Sequence, residues 1–312
     1  MLKNYILTVH KNPNQLKRLI EKLNDNYSFF YIHIDLKVDI HPFKNAINIK
    51  NVIFIKERVN CIWADYSQVV ATLNLLKNVL NKTKKGRVIF LSGQDYPIKS
   101  KLLIENYLNE KSDFEFINFV LNPVTKSSHI NKQRIEKYKF NLSDRRGDFI
   151  LLSPFLNLSK NEIKKIIKLT LKRKLNIFRL LPILSLNRKF ILKNHYKGTN
   201  WWSFRVDTVE KIYNYYLNNK KYLDNYYKYT LCADEQFFHT ILKEIMNTDQ
   251  NIKILPNLHF IDWSRKNVPL PVTLKKDDYN IILKQPNNKL FARKFDSNID
   301  NDILDMIDKN IT

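Results

Sequence analysis

The sequence predicts an α/β protein, a mostly parallel sheet with helices on both faces. Three observations carry that reading. Short apolar runs of strand character recur along the first part of the chain. Segments of about 10–15 residues with apolar positions at helical spacing separate them, as parallel strands require. Polar and charged residues collect where the runs end, the place where ligands sit in such sheets.

The elements follow in order. Tyr5–Val9 is a buried strand, and Pro13 opens a helix that brings Leu16, Leu19, Ile20 and Leu23 to one face. Phe29–Ile34 is the next strand and ends on Asp35; Val52–Ile55 is a third. Ser67–Leu80 reads as an amphipathic helix, with Val70, Leu73, Leu76, Val79 and Leu80 on one side. Val88–Leu91 is a fourth strand, ending in Ser92, Gly93, Gln94 and Asp95. Helices are predicted from Val206 to Leu217 and from Ala233-Asp234-Glu235 onward, with short ones at Asp278–Leu283 and Asp300–Ile307. No repeat and no Pro/Gly/Ser linker interrupts the pattern, which favours a single domain over 1–312.

Composition narrows the chemistry. The 312 residues include 53 Lys plus Arg and 30 Asp plus Glu, a net charge of +23. The 4 glycines are Gly86, Gly93, Gly147 and Gly198, so neither a GxGxxG turn nor a GxxxxGKS/T phosphate cradle can be written. The 2 cysteines, Cys61 and Cys232, do not make a disulfide framework and fit a reducing compartment. No signal peptide is read ahead of Tyr5 and no apolar run reaches the roughly 18–20 residues of a membrane span. The expectation is a cytoplasmic protein.

Among candidate sites, Asp300-Asn301-Asp302 has the D-x-D form of a metal-holding motif but reads as the acidic first turn of a helix. At the end of the fourth strand only Gln94-Asp95 is offered, which favours a metal-independent site. Asp234 reads as an N-cap or first-turn acid. Glu235 is either another such acid or a general base tuned by Phe237 and Phe238. Of the adjacent Trp201 and Trp202, one is expected in the core and the other at liberty to stack on a sugar. Arg293 and Lys294, bracketed by Phe291 and Phe295, can neutralise a diphosphate in place of a metal ion.

Taken together and in order, these segments resemble the core-2/I-branching β-1,6-N-acetylglucosaminyltransferase family, which includes the peptide O-xylosyltransferases, in a bacterial-type member. The landmarks are Leu7–His10 (LTVH), Tyr31–Lys37 (YIHIDLK), Trp63–Ser67 (WADYS) and Phe90–Ser100 (FLSGQDYPIKS). They continue with Gly198–Ser203 (GTNWWS), Asp234–Thr240 (DEQFFHT), Phe260–Trp263 (FIDW) and Leu290–Asp296 (LFARKFD). The resemblance implies a GT-A-type glycosyltransferase fold and an inverting transfer from a UDP-sugar to a glycan hydroxyl. N-acetylglucosamine is the expected sugar, a bacterial surface glycan the acceptor, and neither metal nor other cofactor is required. It makes Glu235 the catalytic base, puts Arg293 and Lys294 on the diphosphate, and adds His10, Asp35, Lys37, Trp63 and Asp95 to the UDP-sugar contacts. Trp201, Trp202 and Asp234 fall on the acceptor side. One departure is visible: Ala64-Asp65 stands where the family has Gly-Gly.

The resemblance lapses over 122–197, a variable basic insertion expected to be helical. It carries Arg145-Arg146 and, from Lys160 to Lys193, lysines and arginines interleaved with Ile and Leu. That mixture suits an anionic membrane surface, with the protein peripheral on the cytoplasmic face of the inner membrane and a lipid-linked acceptor. An insertion whose cations simply face water is the bland alternative. Two other classes are the weaker alternatives: a nucleic-acid-binding protein, raised by net charge but without any recognisable motif, so that no nucleic-acid partner is expected, and a non-catalytic glycan-binding module, disfavoured because Glu235, Arg293 and Lys294 are all present.

Overall fold

The computed structural model describes residues 1–119, 129–184, 188, 192 and 195–311. Among the described residues there are twelve strands: β1 Lys3–Val9, β2 Ser28–Ile34, β3 Val52–Phe54, β4 Arg87–Ser92, β5 Asp95–Pro97 and β6 Phe114–Phe119, then β7 Tyr138–Asn141, β8 Phe149–Leu152, β9 Gly198–Arg205, β10 Lys253–Leu255, β11 His259–Ile261 and β12 Phe291–Arg293. The main sheet has seven strands in the order β10-β6-β9-β4-β1-β2-β3. The β3-β2-β1-β4 half is parallel throughout. β9 runs antiparallel to both its neighbours, β4 and β6.

Alternation along β1 explains the layers. Tyr5, Leu7 and Val9 point into one core with Leu16, Leu19, Ile20 and Leu23 of α1 (Pro13–Leu23). Ile6 points into the other, with Val69, Leu73, Leu76 and Val79 of α3 (Tyr66–Leu80, after α2 His41–Ala46). The expected α/β architecture with helices on both faces is therefore met. Each predicted strand and helix of the first part is present, with ends moved by a few residues at most.

Later helices complete the layers: α4 Lys101–Glu110, α5 His129–Glu136, α6 Lys160–Leu171, α7 Val206–Asn218, α8 Lys220–Tyr227, α9 Phe237–Thr248, α10 Tyr279–Leu283 and α11 Asp302–Asn310. A small sheet, β11-β12-β5, lies beyond the end of β4, and in it Arg293 faces Asp95 across the antiparallel pair. The hairpin β7-β8 forms a separate two-stranded sheet. It builds its own core from Tyr138, Phe140, Ile150 and Leu152 with Leu175, Leu180 and Ile183. Of the expected basic insertion over 122–197, residues 122–128, 185–187, 189–191, 193 and 194 lie outside the described residues.

Candidate active site

A cavity of about 640 Å³ opens beyond the carboxyl ends of β1, β2 and β4. Nine of the eleven residues proposed from sequence line it: His10, Asp35, Lys37, Trp63, Trp201, Asp234, Glu235, Arg293 and Lys294. Asp95 and Trp202 do not. Both tryptophans belong to one core cluster: Trp202 stacks on Phe204 with ring centroids 4.4 Å apart, and Trp201, itself buried, is the one that also lines the cavity, so neither is fully at liberty as expected. Asp95 is fully buried behind the cavity wall.

Asp95 acts through Arg293. Its carboxylate accepts the Ser92 backbone N–H at 2.6 Å and Arg293 Nη1 at 2.7 Å. The same Nη1 donates to Ser92 Oγ at 2.8 Å, and the guanidinium lies 4.2 Å over the Trp201 ring. A fork fixed on three sides is a pre-aimed cation. Lys294 follows it, and burial together with the charges of Arg146, Arg293 and Lys11 holds its ammonium below the ordinary lysine range. Lys11 itself is tied to Asp296 at 2.5 Å.

The β1 and β2 ends form the opposite part of the floor. The Asp35 N–H donates to Val9 O at 2.8 Å, which locks the two strand ends together, and its carboxylate accepts the Lys37 N–H at 2.9 Å. Lys37 Nζ donates to the Cys61 carbonyl at 2.6 Å. Burial, then neighbouring Lys11, lowers the His10 pKa, which keeps that imidazole neutral near pH 7. Gly198 begins β9 at the cavity edge, where an added Cβ would stand 1.7 Å from Asn118 O; only glycine fits.

The acidic pair sits on a turn that periodicity does not show. Ala233–Glu235 is one 3₁₀ turn, entered through Cys232 in the left-handed region (φ 54°) and separated from α9 by Gln236. Gln236 occupies the N-cap position of α9, so the expected capping role of Asp234 is not realised. Asp234 instead turns inward: its Oδ1 is buried without a hydrogen-bond partner, and burial plus the charge of Glu235 pushes its pKa up to about 7. The aromatic setting expected for Glu235 is also corrected. Phe237 and Phe238 point into the core, whereas Glu235 Oε2 meets Arg134 Nη1 of α5 at 2.8 Å.

Ala64-Asp65 acquires a structural reason. Ala64 has φ 55°, a left-handed conformation in which glycine is unstrained. Its carbonyl accepts the Cys232 N–H at 3.1 Å, anchoring the turn that carries Glu235. Asp65 caps α3 through the Ser67 N–H and binds Asn141 at 2.7 Å and Lys139 at 3.3 Å on the hairpin. Two residues thus join the acidic turn to the hairpin.

Sequence reasoning missed Arg134, Asp144 and Arg146. All fall in the stretch without a family pattern. For Arg146 the signal was the Arg145-Arg146 pair, read only as excess charge; the polar turn through Ser143–Gly147 between the alternating Tyr138–Asn141 and the apolar Phe149–Leu152 was the clue to a hairpin tip. Among the described residues no three His, Cys, Asp or Glu side chains converge as metal ligands. Asp302 lies in the exposed first turn of α11, as expected for the D-x-D segment.

Cavity, cation pair and acidic turn coincide with the ordered landmarks, and comparison with known proteins agrees. The chain belongs to the Core-2/I-branching enzyme family, whose pattern it matches over residues 4–283. The parallel sheet with its site at the strand ends fits the GT-A-type fold that family implies. It is similar to xylosyltransferase 2 of Homo sapiens, 24% identical over 326 residues, 97% of this chain and 33% of that protein. It also resembles the Danio rerio beta-1,3-galactosyl-O-glycosyl-glycoprotein beta-1,6-N-acetylglucosaminyltransferase 4, 27% identical over 145 residues, 45% of this chain and 32% of that one. The chain thus spans about a third of the length of these curated relatives. A solved chain of S. aureus TarS aligns at 14% identity and TM-score 0.34, over 82% of this chain and 35% of its own.

Proposed function

We propose that the protein is an inverting glycosyltransferase that moves a sugar from a UDP-sugar to a glycan hydroxyl without a metal ion. The observation carrying this is a single cavity that holds both an acidic turn and a pre-aimed Arg-Lys pair. In one displacement the acceptor oxygen bonds to the anomeric carbon and the bond to the β-phosphate breaks. Glu235 takes the acceptor proton, and Arg293 and Lys294 meet the charge growing on the departing UDP. His10 and Asp35, with Lys37, hold the uridine, while Trp201 and Asp234 flank the sugars. Asp95 supports metal independence: the acid at the β4 end is already occupied by a guanidinium.

N-acetylglucosamine is the proposed sugar; the name of the human relative adds xylose to the donors to be tried. UDP release from a panel of UDP-sugars tests the reading in wild type, in Glu235→Gln and with excess EDTA. The expected result is transfer that survives EDTA and is abolished in Glu235→Gln, although UDP still raises the melting temperature of that variant. Full activity in Glu235→Gln, or strict dependence on Mn²⁺, would sink it.

A second reading concerns location. On α6, Ile163, Ile167 and Leu171 are exposed, and on the 3₁₀ stretch Ile177–Leu184 so are Phe178 and Leu181. Lys164, Lys168 and Lys172 frame a shallow hollow with Ile167 and Leu171. Cations around apolar side chains suit an anionic membrane surface, and the acceptor is then a lipid-linked or lipid-anchored bacterial glycan. Among the described residues no helix is long and apolar enough to cross a membrane. Flotation with phosphatidylglycerol vesicles should be lost in the Leu171→Ser, Phe178→Ser double variant; unchanged flotation would refute the surface.

A further inference from the structure

We propose that Arg146, at the tip of the β7-β8 hairpin, is a third cation of the diphosphate clamp, beside Arg293 and Lys294. The inference rests on the UDP-sugar reading and adds a residue from outside the family landmarks.

The tip is a built structure. Asp148 accepts the Ser143 hydroxyl at 2.5 Å, the Asp148 N–H donates to Arg145 O at 3.1 Å, and Gly147 takes φ 81°, which turns the chain back into β8. Two ties fasten this tip across the cavity mouth. On one side Asn60 Nδ2 donates to Asp144 at 2.6 Å. On the other, Arg146 Nη2 donates to Leu270 O at 3.2 Å, and its guanidinium lies 4.7 Å over the exposed ring of Trp63.

The Leu270 segment is the one that embraces Lys294. The Lys294 N–H donates to Val272 O at 3.3 Å, and the Leu274 N–H donates to Lys294 O at 2.9 Å. Arg146 is therefore hooked to the backbone that positions Lys294. Electrostatics agrees: after burial, the charge of Arg146 is the largest influence lowering the Lys294 pKa, ahead of Arg293 next to it in the chain.

Charge balance then indicates the ligand. Of the cations lining the cavity, Arg293 has Asp95 at 2.7 Å and Lys37 has Asp35 at 3.7 Å. Among the described residues neither Arg146 nor Lys294 has a carboxylate within ion-pair distance. Two cations without carboxylate partners, a solvent-exposed Arg146 and a half-buried Lys294, repel each other across the cavity until an anion lies between them. A diphosphate carries enough charge to satisfy both, and Trp63 holds the Arg146 fork flat for a bidentate contact.

Isothermal titration of UDP, UMP and uridine into wild type, Arg146→Ala and Arg146→Lys tests this. Wild type should prefer UDP to UMP. Arg146→Ala should weaken UDP by about tenfold and leave uridine unchanged, shrinking the UDP-to-UMP ratio. Arg146→Lys should recover part of the loss, since the charge remains and the fork does not. Wild-type UDP affinity in Arg146→Ala, or an equal loss for uridine, overturns the clamp while leaving the donor reading standing. Failure of wild type itself to bind UDP overturns the donor reading.

Discussion

Two parts of the molecule wall the same cavity, and they hold their side chains in different ways. At the strand ends the main chain does the positioning. Asp35 is locked to β1 by its own N–H, and Arg293 is placed opposite Asp95 by strand register. The hairpin and the helix after it, from Tyr138 to Leu184, have their own small core and are tied to the rest through side chains: Lys139 and Asn141 to Asp65, Asp144 to Asn60, Arg146 over Trp63; of these hairpin residues Asp144 and Arg146 line the cavity. Backbone-placed groups leave regular marks in a sequence. Groups placed by side-chain ties across the chain leave none.

Three predictions break or sharpen that contrast. The largest effect belongs to the backbone-placed wall. Arg293→Ala should lower kcat/KM by roughly 10²–10³ through loss of charge stabilisation. It should also destabilise the fold by about 3–5 kcal/mol, because Asp95 stays buried without its counter-ion. Adding Asp95→Asn should restore much of the melting temperature and none of the rate; recovery of rate would show that Asp95, not Arg293, faces the donor.

The next effect is a pH dependence at the joint between the walls. The Asp234 pKa is raised to about 7, so the folded state binds a proton more tightly than the unfolded one. Its contribution is fully present below the unfolded carboxylate pKa of about 4 and is lost as pH rises through about 7. Asp234→Asn should therefore melt higher than wild type at pH 8, with the gap closing at pH 4. A constant gap would mean that Asp234 is ionised throughout.

The smallest effect tests the second wall alone. Ser159 and Glu162 form a capping box at the start of α6. Despite burial, hydrogen bonds from Ser159, Lys137 and Ser153 hold the Glu162 pKa down to about 2. That contribution is present above the unfolded value and is lost as pH falls toward 2. Ser159→Ala should cost about 1 kcal/mol and speed amide exchange in α6. Equal acceleration in the main sheet would show that the two parts open as one.

Legibility in the sequence follows the same division. The apolar runs of β1, β2 and β4 and the stripe on α1 recur with period, so they could be read, and the residues at their ends came with them. The acidic turn was found through its residue types but misplaced in conformation. Periodicity cannot register the single positive φ at Cys232 that detaches Asp234-Glu235 from α9. Nor can it show that Ala64 bonds Cys232. Arg134 left no mark and Arg146 only its place in a turn, because a guanidinium's partner is set by how distant segments pack and their stretch has no recurring pattern to align.

The Arg293–Asp95 pair also has a history in time. Its members are 198 residues apart. At ribosomal rates of about 5–20 residues per second, Asp95 emerges roughly 10–40 seconds before its counter-ion exists. Until then the carboxylate has the Ser92 N–H but no guanidinium to meet it. The cavity wall that Arg293 forms is thus completed only once β12 has been made and can pair with β5.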